Sequence, residues 1–191
     1  YGMNPLTVTW APHMYTEIGR RNFESWINIG GFDNILFTPN GRVHRLLTHL
    51  AFENLLHPFQ PFIIGQKNIA PKFAVQYRVP LIFYGENQAE YGNKIEENDT
   101  PIMKTEFFAH DVKIEDLFLG GVRASDLIKD KEKKVSLNDL NPYLPVSAKE
   151  IKKLGVEGHF LSYYLRWDSQ ECFYYSAKHT GFEANTERTE G

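Results

Sequence analysis

Hydrophobic residues in the first half of the chain switch between two spacings, and the switching reads as strand, helix, strand. Pro5-Leu-Thr-Val-Thr-Trp10 is apolar and β-branched, the composition of a strand. Ala11-Pro12-His13 closes it, and Thr16 is placed to cap a helix running to about Asn28. Ile18, Phe23, Trp26 and Ile27 supply that helix's apolar stripe, and Gly30-Gly31 ends it. Asn34-Ile-Leu-Phe-Thr38 is a second strand. Val43, Leu46, Leu47, Leu50, Ala51 and Leu55 then recur at helical spacing. After the rigid breaker His57-Pro-Phe-Gln-Pro61, a third helix starts at about Phe62 and carries Ile69, Phe73, Ala74 and Tyr77 on one face. It leads into a short apolar run from Pro80 to Tyr84, a buried strand that breaks at Gly85. Strands alternating with helices predict a mainly parallel sheet with right-handed crossovers.

Beyond Gly92 the pattern loosens. Lys94 to Thr100 is polar and reads as a mobile loop, and Gly120-Gly121 interrupts a stretch mixing charge with aromatics. Lys129 to Lys134 alternates lysines with acids, which favours a solvated surface segment over a polyanion site. Asn141-Pro-Tyr-Leu-Pro145 is a second breaker. Ser147 with Glu150 has capping-box spacing for a helix stopped at Gly155. His159 to Trp167 reads as strand, and Asp168 with Glu171 opens a final helix ending near Gly181.

The chemistry is concentrated after Tyr84. In open α/β sheets ligands bind beyond the carboxyl ends of the strands. Gly85, Glu86, Asn87 and Glu90 are therefore candidate ligand contacts, against the alternative of a solvated strand-to-helix turn. Gly65-Gln66-Lys67-Asn68 lies near the expected start of the third helix. Free backbone N–H groups there favour an anion, or form an ordinary polar first turn. Arg166 beside Trp167 offers a sugar or nucleotide contact, or simple stacking between the two. His44 and His49 are five apart and share a helix face poorly, and no motif points to a metal. Cys172 sits in an aromatic helix, where core packing is favoured over nucleophilic chemistry.

Composition changes the picture only by exclusion. The 191 residues carry a net charge of −3, without the basic excess of a dedicated nucleic-acid binder. One cysteine excludes an internal disulfide framework, and no apolar run reaches membrane-spanning length. Together with the lack of a signal-peptide pattern, these point to the cytoplasm. No glycine-rich phosphate loop, dinucleotide fingerprint, zinc-protease motif or serine-hydrolase elbow occurs.

Long strings carry more than these motifs. Val8-Thr-Trp-Ala-Pro-His13, Asn34-Ile-Leu-Phe-Thr-Pro-Asn-Gly41, Phe62-Ile-Ile-Gly-Gln-Lys-Asn-Ile-Ala-Pro-Lys72, Phe83-Tyr-Gly-Glu-Asn-Gln-Ala-Glu-Tyr-Gly92 and Gly158-His-Phe-Leu-Ser-Tyr-Tyr-Leu-Arg-Trp167 resemble the N-acetyl sugar amidotransferases of bacterial surface polysaccharides. These belong to the PP-loop ATP pyrophosphatases, also called adenine nucleotide alpha hydrolase-like. The resemblance implies a Rossmann-like parallel sheet of order 3-2-1-4-5 with flanking helices. It also implies ATP with Mg2+, a nucleotide-linked acetamido sugar as substrate, and ammonia supplied by paired glutaminase and cyclase-like subunits. The product would be an acetamidino sugar, formed through an adenylated intermediate.

By the same resemblance, Thr9 and Trp10 end the strand that borders the adenosine. Gly85 and Glu90 match a glycine and an acid of the family segment after its fourth strand, and Glu86 and Ala89 depart from it. The family's phosphate-binding loop and its central first strand are not among these residues. The chain is therefore expected to be a fragment: residues 1–93 a partial ATPase domain containing strands two to four, and 94–191 a continuation with substrate-side loops. The sheet should then show a gap or a non-native pairing. The catalytic residues are not assigned. A PP-loop tRNA-modifying enzyme is the alternative, although the segment from Phe62 to Phe73 has no cysteine for sulfur transfer. A non-catalytic nucleotide- or partner-binding module is the third reading.

Overall fold

The computed structural model describes residues 4–85, 100–166 and 168–185. Along the chain run β1 (Leu6–Trp10), α1 (Glu17–Asn28), β2 (Asp33–Phe37), α2 (Gly41–Leu55), α3 (Gln60–Tyr77) and β3 (Leu81–Tyr84). There follow β4 (Phe118–Leu119), β5 (Val122–Arg123), α4 (Ala124–Lys129), α5 (Leu137–Leu140), α6 (Ala148–Leu154), β6 (Glu157–Phe160), α7 (Leu161–Tyr164) and α8 (Ser169–Thr180). The described strands form three two-stranded sheets: β1–β2 and β3–β6 are parallel, and β4–β5 is antiparallel. The result is a mixed α/β structure with small parallel sheets. The ladders are separate among the described residues, with β3 pairing β6 from far along the chain rather than β2. The chain divides into two compact units, Tyr1–Phe37 with Arg166–Gly191, and Thr38–Leu165. The expected division at residue 93 lies outside the described residues.

In the first unit, β1 and β2 pair from Leu6↔Asp33 to Trp10↔Phe37, with α1 as the crossover between them. Thr16 caps α1 by accepting from the Gly19 N–H at 3.0 Å, satisfying one of the free donors at a helix start. The helix ends at Asn28 with Ile29 as its cap, and at Gly30 a Cβ would stand 2.3 Å from the Trp26 carbonyl oxygen; the Trp26 and Phe32 rings stack at 4.7 Å. Asp168 caps α8 by accepting from the Gln170 and Glu171 N–H groups, each at 3.0 Å. Arg21 and Asn22 of α1 bond Glu183 just beyond α8. Neither α1 nor α8 buries a residue, so Cys172 is half-buried rather than a core residue.

The second unit holds most of the core. Asn40 caps α2, and Val43, Leu47 and Ala51, four apart, are fully enclosed. The Gly120-Gly121 pair, expected only as an interruption, is the tight turn of the β4–β5 hairpin, with both glycines at positive φ (60° and 77°). A Cβ on Gly121 would stand 2.6 Å from the Asn54 Cβ, so the turn seats against α2, where the Asn54 amide donates to the Gly120 carbonyl at 2.9 Å. Ser136 and Asp139 form a reciprocal capping box at α5. Ser147 caps α6 through the Lys149 N–H, and Gly155 ends it in the left-handed region.

A buried polar knot ties α2 and α3 to the Asn141–Tyr143 turn. His44 Nδ1 lies 2.8 Å from the Tyr143 hydroxyl, and the Asn68 amide donates to the Tyr143 carbonyl at 2.8 Å. Burial pushes the Tyr143 phenol's pKa well above its ordinary value, since the charged form loses its hydration there. A neighbouring apolar cluster includes Ile82, Tyr84, Phe108, Ile151, Val156 and Phe160, each side chain contributing about 1.5–3 kcal/mol by leaving water. Gly158 fits this cluster because a Cβ would already press the Phe108 ring at 3.2 Å.

Candidate functional site

The candidate site sits at the carboxyl end of the β3–β6 ladder. The register pairs Leu81, Ile82, Phe83 and Tyr84 with Glu157, Gly158, His159 and Phe160, so the two strands finish level. Period-two geometry divides their side chains. Ile82, Tyr84, Gly158 and Phe160 face the core, while Leu81, Phe83, Glu157 and His159 lie on the other face. The Tyr84 hydroxyl anchors the strand end by donating to the Lys67 carbonyl of α3 at 3.2 Å. On its far side β6 is held by residues 101–103. The Met103 N–H donates to the Gly158 carbonyl at 2.7 Å, the Phe160 N–H donates to the Pro101 carbonyl at 3.1 Å, and Ile102 bridges His159.

On the open face three polar side chains join end to end. His159 Nε2 lies 3.0 Å from a Glu157 carboxylate oxygen, and Nδ1 lies 2.6 Å from the Tyr164 hydroxyl. A carboxylate only accepts, so Nε2 carries the hydrogen and Nδ1 accepts from the phenol. The imidazole stacks on the Tyr164 ring at 5.9 Å, and Phe83 stands edge-on to both rings. The His159 side chain is only 11% exposed, while that of Glu157 is 57% exposed and Tyr164 is half exposed. Phe83 and the paired strands thus hold an imidazole whose proton chain opens to solvent through the phenol.

These three residues escape the strand-like reading of His159 to Trp167. β6 ends at Phe160, and α7 turns Tyr164 back over His159; in a continuing strand the two would point to opposite faces. The spacing of Glu157 and His159, two apart, was the available signal. Two residues at that spacing share one face of a strand.

The residues singled out from the sequence are dispersed. Gly85 follows β3 directly and is exposed, with nothing within 4 Å of where a Cβ would be. Glu86, Asn87 and Glu90 lie outside the described residues, as do 94–99 and Trp167. Thr9 and Trp10 end β1 in the first unit. The Thr9 hydroxyl accepts from the Asn34 amide at 3.1 Å, and the Trp10 ring is 5% exposed and packs against Phe37 at 5.1 Å. Gly65, Gln66, Lys67 and Asn68 fall past the first turn of α3, which starts at Gln60 rather than Phe62 because Pro61 suits a first-turn position. Their N–H groups are therefore not the free ones at the helix start. Gly65 and Asn68 are buried. Arg166 is exposed after α7.

Among the described residues no three His, Cys, Asp or Glu side chains gather as a metal site, and no helix is long and apolar enough to cross a membrane. No model of a known protein family matches the chain, and no curated protein matches it.

Proposed function

We propose that this chain is part of an ATP-dependent amidotransferase that converts an acetamido group of a bacterial surface-polysaccharide sugar to acetamidino. The quoted strings motivate the family, and the strand pairing is the observation that carries the reading. In a sheet of order 3-2-1-4-5 the second strand pairs with the third and the fourth with the fifth, all parallel. β1 with β2 and β3 with β6 form two such parallel pairs, and among the described residues β1 and β3 do not pair with each other.

ATP is the second substrate, with Mg2+ on its phosphates. In such a sheet the adenosine is read at the carboxyl ends of the strands. Gly85 offers open backbone for that contact at the end of β3. Thr9 and Trp10, at the end of β1 in the other unit, are engaged with Asn34 and Phe37. The acetamido oxygen attacks the α-phosphorus and expels pyrophosphate. Ammonia, delivered by glutaminase and cyclase-like partners, adds to the resulting imidate carbon. Its nitrogen gives up a proton, and AMP departs with the oxygen to leave an amidinium. Adenylation is needed because an amide oxygen is a poor leaving group. Both ATP and nucleotide-linked sugars are cytoplasmic, so the reaction belongs there.

The test is the protein, extended upstream as its coding sequence allows, incubated with ATP, Mg2+, ammonia and a UDP-linked diacetamido sugar. AMP, pyrophosphate and a product lighter by the difference between O and NH are expected. ADP in place of AMP, or tight salt-sensitive tRNA binding without sugar turnover, overturns the reading.

A further inference from the structure

The amidotransferase reading leaves one proton unassigned, the one shed by the added ammonia before AMP departs. Resting on that reading, we propose that Tyr164 takes this proton, with His159 and Glu157 as the residues that position and charge-balance it. Glu157 and Tyr164 are the two exposed ends of the chain, and Tyr164 is the one that follows β6, at the carboxyl end of the ladder where Gly85 leaves β3. Its hydroxyl donates to His159 Nδ1 over 2.6 Å, which leaves the oxygen lone pairs to accept a proton.

The transfer balances in two linked moves. The phenol oxygen accepts a proton from the ammonium nitrogen of the adduct as its own hydrogen passes to Nδ1. No bond is left broken at Tyr164, and the positive charge ends on the imidazole. There the Glu157 carboxylate faces it across 3.0 Å. The proton then leaves to solvent through the exposed carboxylate. An imidazole 11% exposed could not meet a bulky adenylated sugar directly, so the half-exposed phenol is the contacting group and therefore the catalytic residue. Phe83 stands edge-on to both rings, and the backbone of His159 is held between β3 and the 101–103 segment, so the imidazole is positioned before substrate arrives. A face built only for packing would need the rings and no ordered run of hydrogen bonds.

Two arms test this. In the first, nitrogen-15 NMR of the chain reads the His159 tautomer. The wild type should show a protonated Nε2 and an accepting Nδ1. Tyr164→Phe should shift Nδ1 alone, and Glu157→Ala should release the tautomer preference. An averaged imidazole that neither substitution moves overturns the relay whatever the reaction proves to be.

In the second arm, Tyr164→Phe and His159→Gln should lower kcat for amidine formation about 100- to 10,000-fold, with KM values changed by less than about threefold. Sugar-dependent exchange of pyrophosphate into ATP should persist, because adenylation precedes the proton loss. Equal loss of exchange and amidine formation, or an unchanged kcat, overturns the proposed role. A wild-type protein that forms no AMP overturns the amidotransferase reading and with it this step, while the tautomer measurement still judges the relay itself.

Discussion

Replacing Tyr143 by phenylalanine removes one hydroxyl from the buried knot and keeps the ring. Tyr143 is 1% exposed, and its hydroxyl is hydrogen-bonded with His44 Nδ1 at 2.8 Å. Losing a buried hydrogen bond while its partner stays in place costs about 1–3 kcal/mol at neutral pH. The pH dependence is more diagnostic. The folded phenol titrates well above the ordinary value of 10.0, whereas in the unfolded chain it ionises near that value. Above pH 10 the native state therefore holds a proton that the unfolded state has lost, and stability falls as pH rises. The slope from this one group approaches ~1.4 kcal/mol per pH unit. A phenyl ring at this position cannot ionise, so the Tyr143→Phe variant loses that slope. Urea unfolding followed by far-UV circular dichroism, from about pH 8 to about pH 11, gives both curves. The wild-type advantage should be constant at first and then shrink toward the alkaline end. A difference between wild type and variant that is independent of pH refutes the assignment of Tyr143 as a buried, neutral phenol.

Two further substitutions probe the same unit. Gly121→Ala puts a methyl 2.6 Å from the Asn54 Cβ at a φ of 77° and should cost about 2–4 kcal/mol. Gly155→Ala, at φ 63° with open space around it, should cost only about 1–2 kcal/mol; equal losses in thermal denaturation would contradict the close seating of the hairpin on α2. Burial lowers the pKa of Lys72, so charging it in the folded state is unfavourable. Lys72→Met should leave stability equal or higher at pH 7. That advantage should fade as pH rises through the folded pKa toward the ordinary 10.5, and a clear loss at pH 7 would show that the ammonium is well paired.

What the sequence made legible follows from what periodicity can encode. Thr16, Gly30 and the stripe Val43, Leu47 and Ala51 mark helix ends and faces through local rules, and the structure carries them with shifts of one or two residues. The lateral neighbour of β3 was not legible. Alternation fixes which residues face the core, but every strand offers the same backbone donors and acceptors at its edge. β6 lies alongside β3 with Gly158 packed against the Phe108 ring. The proton chain was hidden for a related reason. Glu157 and His159 share a strand face by spacing alone, whereas Tyr164 joins them through a chain reversal after Phe160 that no apolar pattern announces. Gly120-Gly121 read only as an interruption, because the two-residue strands beside it are too short to show alternation; both glycines adopt the positive φ of a tight hairpin turn.

The central claim is that an acetamido oxygen leaves as part of AMP. A sugar substrate whose acetamido oxygen is a heavy isotope tests it directly, with the released nucleotide read by mass spectrometry. The account predicts that the label appears in the phosphate of AMP and disappears from the amidino product. Label retained in the sugar, or released as water with unlabelled AMP, would contradict it.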